Sequence, residues 1–160
     1  MSLLPHIEVE TKANPDASII WLHGLGADGN DFKPIVPELG LPTDSAVRFI
    51  FPHAPSMPVT INNGFVMPAW YDILDMSIDR KVDEVQLRQS SAAIVEFIEN
   101  EISRGISCDR IIIAGFSQGG AVAFETALSY PEKLGGLLAM STYFATRENV
   151  EFNPVNRQLP

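Results

Sequence analysis

The stretch RIIIAGFSQGGAVAF, Arg110 to Phe124, constrains this chain more than any other. Its β-branched run reads as a buried strand, and the run after the glycines reads as a helix. Between them one hydroxyl stands in the segment Gly115-Phe116-Ser117-Gln118-Gly119. A strand that turns straight into a helix forces the corner residue into a strained backbone conformation. The residues two before and two after the corner must then be small, and here both are glycine. The hydroxyl stands at the carboxyl edge of a sheet, where a helix N-terminus favours developing negative charge. The plainer alternative is a serine that only caps the helix.

The remaining sequence fits a mostly parallel sheet with helices on both faces. At 160 residues, with no repeat, low-complexity tract or linker, residues 1–160 are expected to form a single domain with a substantial core. Strands are predicted at 7–10, 18–22, 47–51, 110–114 and 136–140. The clearest helix is predicted over 83–104, with Leu87, Ile94, Val95, Ile98 and Ile102 on one face, Asp83 as cap and Gly105 closing it. A second runs from 118 to about 130 and stops before Pro131. A third, around 31–39, is kept short by Pro34 and Pro37. Residues 52–72 form a proline-rich excursion, either a functional loop or a small hairpin, with a tight turn predicted at Asn63-Gly64.

The net charge of −9 repels nucleic acid and anionic lipid. No apolar run approaches the ~20 residues that span a bilayer, and the N-terminus does not read as a signal peptide. A cytoplasmic protein with no nucleic-acid partner and no stable membrane insertion is the expectation. Cys108 is the single cysteine and reads as a small buried residue rather than a reactive thiol.

WLHGLGADGNDF, Trp21 to Phe32, follows the second strand. Its H-G-x-G core supplies backbone whose N–H groups can turn inward. Acyl transfer needs two donors aimed at a tetrahedral oxyanion. Gln118, the residue after the serine, offers one N–H, and Leu25 in the glycine loop is best placed to offer the other. A glycine turn leading to a helix capped by Asp28, Asn30 or Asp31 is the bland alternative. The Gly-Lys-Ser/Thr signature of a phosphate loop is absent.

Taken together, LHGLGADGNDF, FPHAPSMPVTINNGFVMPAWYD and GFSQGGAVAF resemble the carboxylesterase/phospholipase and acyl-protein thioesterase group of serine α/β hydrolases, across nearly the whole chain. The resemblance implies an α/β-hydrolase fold. It also implies hydrolysis of small carboxylic esters, or of acyl chains in ester or thioester linkage, through an acyl-serine intermediate. Ser117 is then the nucleophile, and Leu25 and Gln118 are the oxyanion donors. MPAWYDILDM would help form the acyl pocket through Trp70, Ile73, Leu74 and Met76, although Trp70 and Met67 also fit an ordinary core. No metal or organic cofactor is implied.

A serine hydroxyl needs a base, and the base needs an orienting carboxylate. In the family these follow the serine as Asp and then His, after strands that these 160 residues do not reach. The fold is therefore expected to lack its last strands on the C-terminal side, and the 160-residue form to be inactive. Of the three histidines, His6 is expected at the wrong end of the sheet. His53 is expected one strand beyond the neighbour of the elbow strand, roughly 10 Å away, against the ~3 Å contact a base needs. His23 is expected to brace its own loop. Nothing marks Asp72, Asp75 or Asp79 as an orienter. The strand at 136–140 is expected to present an open edge, which leaves the isolated form poorly soluble or is hidden by a homodimer, a swapped segment or a retained C-terminal fragment. Two rivals stand beside this reading. One is a non-catalytic scaffold that binds acyl ligands or a protein partner. The other is a dienelactone-type hydrolase, which would carry cysteine where Ser117 stands.

Overall fold

The computed structural model describes residues 2–77 and 81–160, so Asp79 lies outside the described residues. Five strands form the main sheet: β1 (His6–Glu10), β2 (Ala17–Leu22), β3 (Val47–Pro52), β6 (Ile111–Phe116) and β7 (Gly136–Met140). Their order is β1-β3-β2-β6-β7, with every pair parallel except β1 with β3. The smaller strands β4 (Ser56–Val59) and β5 (Phe65–Pro68) pair as an antiparallel hairpin.

The helices α1 (Glu84–Ser103) and α2 (Gln118–Ser129) cover one face. Leu87, Ile94, Phe97 and Ile98 of α1 pack with Ala121, Val122 and Ala123 of α2 over Ile20, Leu22, Ile50, Ile111 and Ile113 of the sheet. On the opposite face Trp21, Phe49 and Phe51 meet Phe32, Ile35 and Val36. The last two belong to a 3₁₀ segment, Lys33–Leu39, rather than a full helix. Pro34 is tolerated in the first turn, but Pro37 removes an N–H that an α-helix would use, and the tighter, shorter coil forms instead.

The parallel strands fall within two residues of expectation. Asp83 caps α1 through its carboxylate, which accepts from Gln86 N at 3.0 Å. Arg110 leaves the predicted strand for a 3₁₀ turn, Cys108–Arg110, and β6 instead continues to Phe116. Cys108 is half-buried there, and burial first, then the nearby carboxylates, pushes its thiol up to about 11. The hairpin connection is longer than a tight turn. A 3₁₀ turn, Thr60–Asn62, leads into Asn63 and Gly64, both left-handed at φ 57° and 76°. Asp72 holds that turn by accepting from Thr60 N at 2.8 Å and Thr60 Oγ1 at 2.5 Å.

The antiparallel β1 overturns one expectation. His6 pairs with Pro52 at the end of β3, which puts it on the carboxyl edge of the sheet, the same edge as the elbow. It is still three strands away from β6. Its Nδ1 lies 2.8 Å from Leu4 O and its ring stands edge-on to Phe97.

The strand β7 ends the sheet among the described residues, and Leu137 N donates to Pro160 O at 2.9 Å along that edge. Asn156, fully buried, accepts from Leu134 N and donates to Tyr130 O and Glu132 O. No helix of the described residues is long and apolar enough to cross a membrane.

Candidate active site at the strand–helix corner

Ser117 has φ 53° and ψ −117°, a conformation that side chains rarely adopt. The corner is held from both sides. Ser117 N donates to Met140 O at 3.0 Å, and Thr142 Oγ1 donates to Ser117 O at 2.5 Å. The flanking glycines are sterically required. A Cβ on Gly115 would overlap the backbone of Gly119, and a Cβ on Gly119 would lie 2.5 Å from the carbonyl oxygens of Leu22 and His23. The second glycine of the pair, Gly120, makes room for the Thr142 side chain. Thr142 was not foreseen, although the Gly119-Gly120 doublet was the visible trace of something lying close against the helix.

The glycine loop after β2 meets this corner directly. A Cβ on Gly24 would lie 3.6 Å from Ser117 Cβ and 3.2 Å from the Phe116 ring. Around Leu25 the neighbouring amides are committed, Gly26 N to Pro68 O at 2.8 Å and Ala27 N to Gly24 O at 3.3 Å. Among the described residues the Leu25 N–H donates to no other group. Gln118 N is the first amide of α2, and among the described residues it donates to no other group, whereas Gly120 N donates to Ser117 O at 3.0 Å.

Three segments distant in sequence are tied together here. Gln118 is buried, and its side-chain Oε1 accepts from Trp70 N at 2.8 Å while Nε2 donates to Tyr71 O at 2.6 Å. Trp70 Nε1 donates to His23 O at 2.8 Å, and the two rings lie 5.1 Å apart, tilted by 34°. Trp70 is fully buried and Ile73 nearly so, whereas Leu74 and Met76 are exposed. Tyr71, beside Trp70, meets the Tyr143 hydroxyl at 2.5 Å.

His23 braces its loop. Its Nε2 accepts from Ala54 N at 3.0 Å, so the proton sits on Nδ1, which donates to Gly24 O at 2.7 Å. Burial holds its pKa below the usual 6.5. Protonating Nε2 would set two donors against each other. The unfolded chain therefore takes up this proton first as pH falls, and stability present above about 6.5 is lost below it. Removing the group with His23→Gln should flatten the pH dependence of unfolding in that window, by up to about 1.4 kcal/mol per pH unit. Urea titrations of both proteins at several pH values between neutral and mildly acid check this; identical slopes would mean that His23 does not titrate with folding.

His53 is likewise occupied, its Nδ1 accepting from Gly29 N at 3.0 Å, and β2 separates its strand from β6. Asp75 accepts from Ser77 N at 3.0 Å. Among the described residues no histidine or carboxylate is hydrogen-bonded to Ser117 Oγ, and no group of three or more His, Cys, Asp or Glu side chains is arranged to hold a metal ion.

Comparison with known proteins agrees with this geometry. The family described as Phospholipase/Carboxylesterase matches residues 4–160. An acyl-protein thioesterase 1 of Schizosaccharomyces pombe is 40% identical over 127 residues, covering 79% of this chain and 56% of that protein. One from Cryptococcus neoformans is 37% identical over 143 residues, covering 88% and 60%. Among solved structures, Arabidopsis thaliana SOBER1 superposes with a TM-score of 0.84 at 32% identity, over 90% of this chain and 70% of that one. Zea mays acyl-protein thioesterase 2 does so with a TM-score of 0.71 at 30% identity, over 88% and 62%. The chain thus spans 56–60% of the length of those two curated relatives.

Proposed function

This chain belongs to the phospholipase/carboxylesterase family of α/β hydrolases, and from that premise we propose that Ser117 is the nucleophile of a hydrolase acting on acyl esters or thioesters. The observation that carries the reading is the contact between the strained corner at Ser117 and the glycine loop at Gly24. A strained corner alone could be structural. A strained hydroxyl facing a loop with an uncommitted amide is what a developing oxyanion requires.

The chemistry would run in two steps. Ser117 Oγ attacks the acyl carbon and gives up its proton to a base. The oxyanion is held by Leu25 N–H and Gln118 N–H, and collapse expels the alcohol or thiol to leave an acyl-serine. Water then releases the acid. The base and its carboxylate would reach Ser117 from outside these 160 residues, since His6, His23 and His53 are all engaged elsewhere. The 160-residue form by itself is then inactive. Leu74 and Met76 would contact the acyl group on their exposed faces, with Ile73 and Trp70 supporting them from behind. A soluble protein of the cytoplasm, with a small ester or acyl-chain substrate, suits this assignment. Among the described residues no base is bonded to Ser117, which also supports a second reading, a scaffold that binds acyl groups without turning them over.

The oxyanion assignment separates side chain from backbone. In a turnover-competent protein, Gly24→Val or Gly26→Val should cost about 10²-fold in rate by displacing a donor. Gly26 has φ 77°, a backbone conformation that valine disfavours. Changing the Leu25 side chain should instead alter acyl preference more than rate. Hydrolysis of a series of aryl esters of increasing chain length measures both, and small, equal effects at all three positions would mark the loop as a plain turn.

A further inference from the structure

A cleft of about 510 Å³ opens at the edge of the sheet opposite Ser117. One wall is Val9 of β1, near the point where Thr11 N donates to Val47 O at the start of β3. The other is the 3₁₀ segment Lys33–Leu39, with Val36 on its buried side and Leu41 beyond its end. This volume lies within the range of small-molecule sites, roughly 300–1,000 Å³. Its lining combines the apolar Val9, Val36, Pro37 and Leu41 with the polar Thr11, Lys33, Thr43 and Ser45.

The charge pattern is unusual for this chain. Net charge is −9, yet the lining contains one ammonium and no carboxylate. Among the described residues Lys33 makes no ion pair, and the hydroxyls of Thr43 and Ser45 donate to no protein acceptor. An apolar lining beside an unpaired cation and two hydroxyl donors matches an amphipathic monoanion: a hydrocarbon tail on Val9, Val36 and Leu41, and a carboxylate at Lys33.

We propose that this cleft is a second ligand site, separate from the Ser117 edge, which takes a medium-chain carboxylate. It requires no turnover and is independent of the role assigned to Ser117.

The test uses decanoate, below its micelle concentration, titrated into isotopically labelled protein and followed by NMR. Saturable shifts at the Val9, Val36 and Leu41 methyl groups are expected, with a dissociation constant on the order of 0.1–1 mM. Lys33→Gln should weaken binding about tenfold, as should replacing decanoate by decanol, because each removes one half of a charge-assisted contact. Acetate should cause no saturable shift, since it lacks the tail. Equal affinity in Lys33→Gln with an unchanged melting temperature would overturn the proposal. So would shifts confined to residues near Ser117.

Discussion

Replacing Ser117 by alanine is expected to lower kcat for a short-chain aryl ester by on the order of 10⁶-fold in a turnover-competent protein. The size follows from what the substitution spares. On the proposed mechanism the amides of Leu25 and Gln118, the α2 terminus and the acyl contacts would all remain, so substrate would still bind at an intact oxyanion site. Only the atom proposed to form the acyl bond would be gone. The fold should not suffer, because the corner is held through the Ser117 backbone, by Met140 O and by the Thr142 hydroxyl. Alanine keeps the same Cβ and so the same strain at φ 53°. A melting curve beside the rate assay separates the two effects: unchanged melting with collapsed rate assigns the nucleophile, and a loss below tenfold would take that role from Ser117. The 160-residue form itself should turn over near the level of the mutant. Ordinary esterase rates from it would mean that a base exists among its own residues.

The largest stability effect is expected at the other end of the sheet. Glu101 of α1 is fully buried and accepts three bonds: from Ser18 Oγ at 2.5 Å, Arg48 Nη1 at 2.8 Å and Arg104 Nη1 at 3.1 Å. Arg48 is itself buried, with Glu10 as its other close partner at 3.0 Å. Truncating the carboxylate with Glu101→Ala would leave Arg48 Nη1 and the buried Ser18 hydroxyl without their acceptor, with Glu10 still on Arg48 Nε. Breaking one half of such a pair costs about 3–5 kcal/mol, far more than an exposed pair would. A leucine there, with Arg48 also changed to methionine, should recover much of the loss, since an apolar pair no longer carries a desolvated charge. Urea unfolding of the three variants is the measurement. A loss under 1 kcal/mol in Glu101→Ala would show that water already screens the cluster.

The elbow was legible in sequence because its causes lie within a few residues of one another. A strained corner admits only small residues nearby, so Gly115, Gly119 and the β-branched run before them identify it without knowledge of the rest. The same holds for the Asp83 cap and for the short segment that Pro37 keeps from becoming an α-helix. Tertiary structure decided what depends on pairing between distant segments. The antiparallel setting of β1 moved His6 to the carboxyl edge, which no local pattern states. Parallel pairing of β6 with β7 brought Thr142 under the Ser117 carbonyl, and the hairpin carried Trp70 into the space between His23 and Gln118. Glu101 sits on the apolar face of α1, where hydrophobic periodicity gives no reason to expect a carboxylate. Its partners Ser18 and Arg48 stand 83 and 53 residues away in the chain. A buried polar group is stable only when distant donors converge on it, and that convergence is fixed by strand order and register rather than by neighbours in sequence.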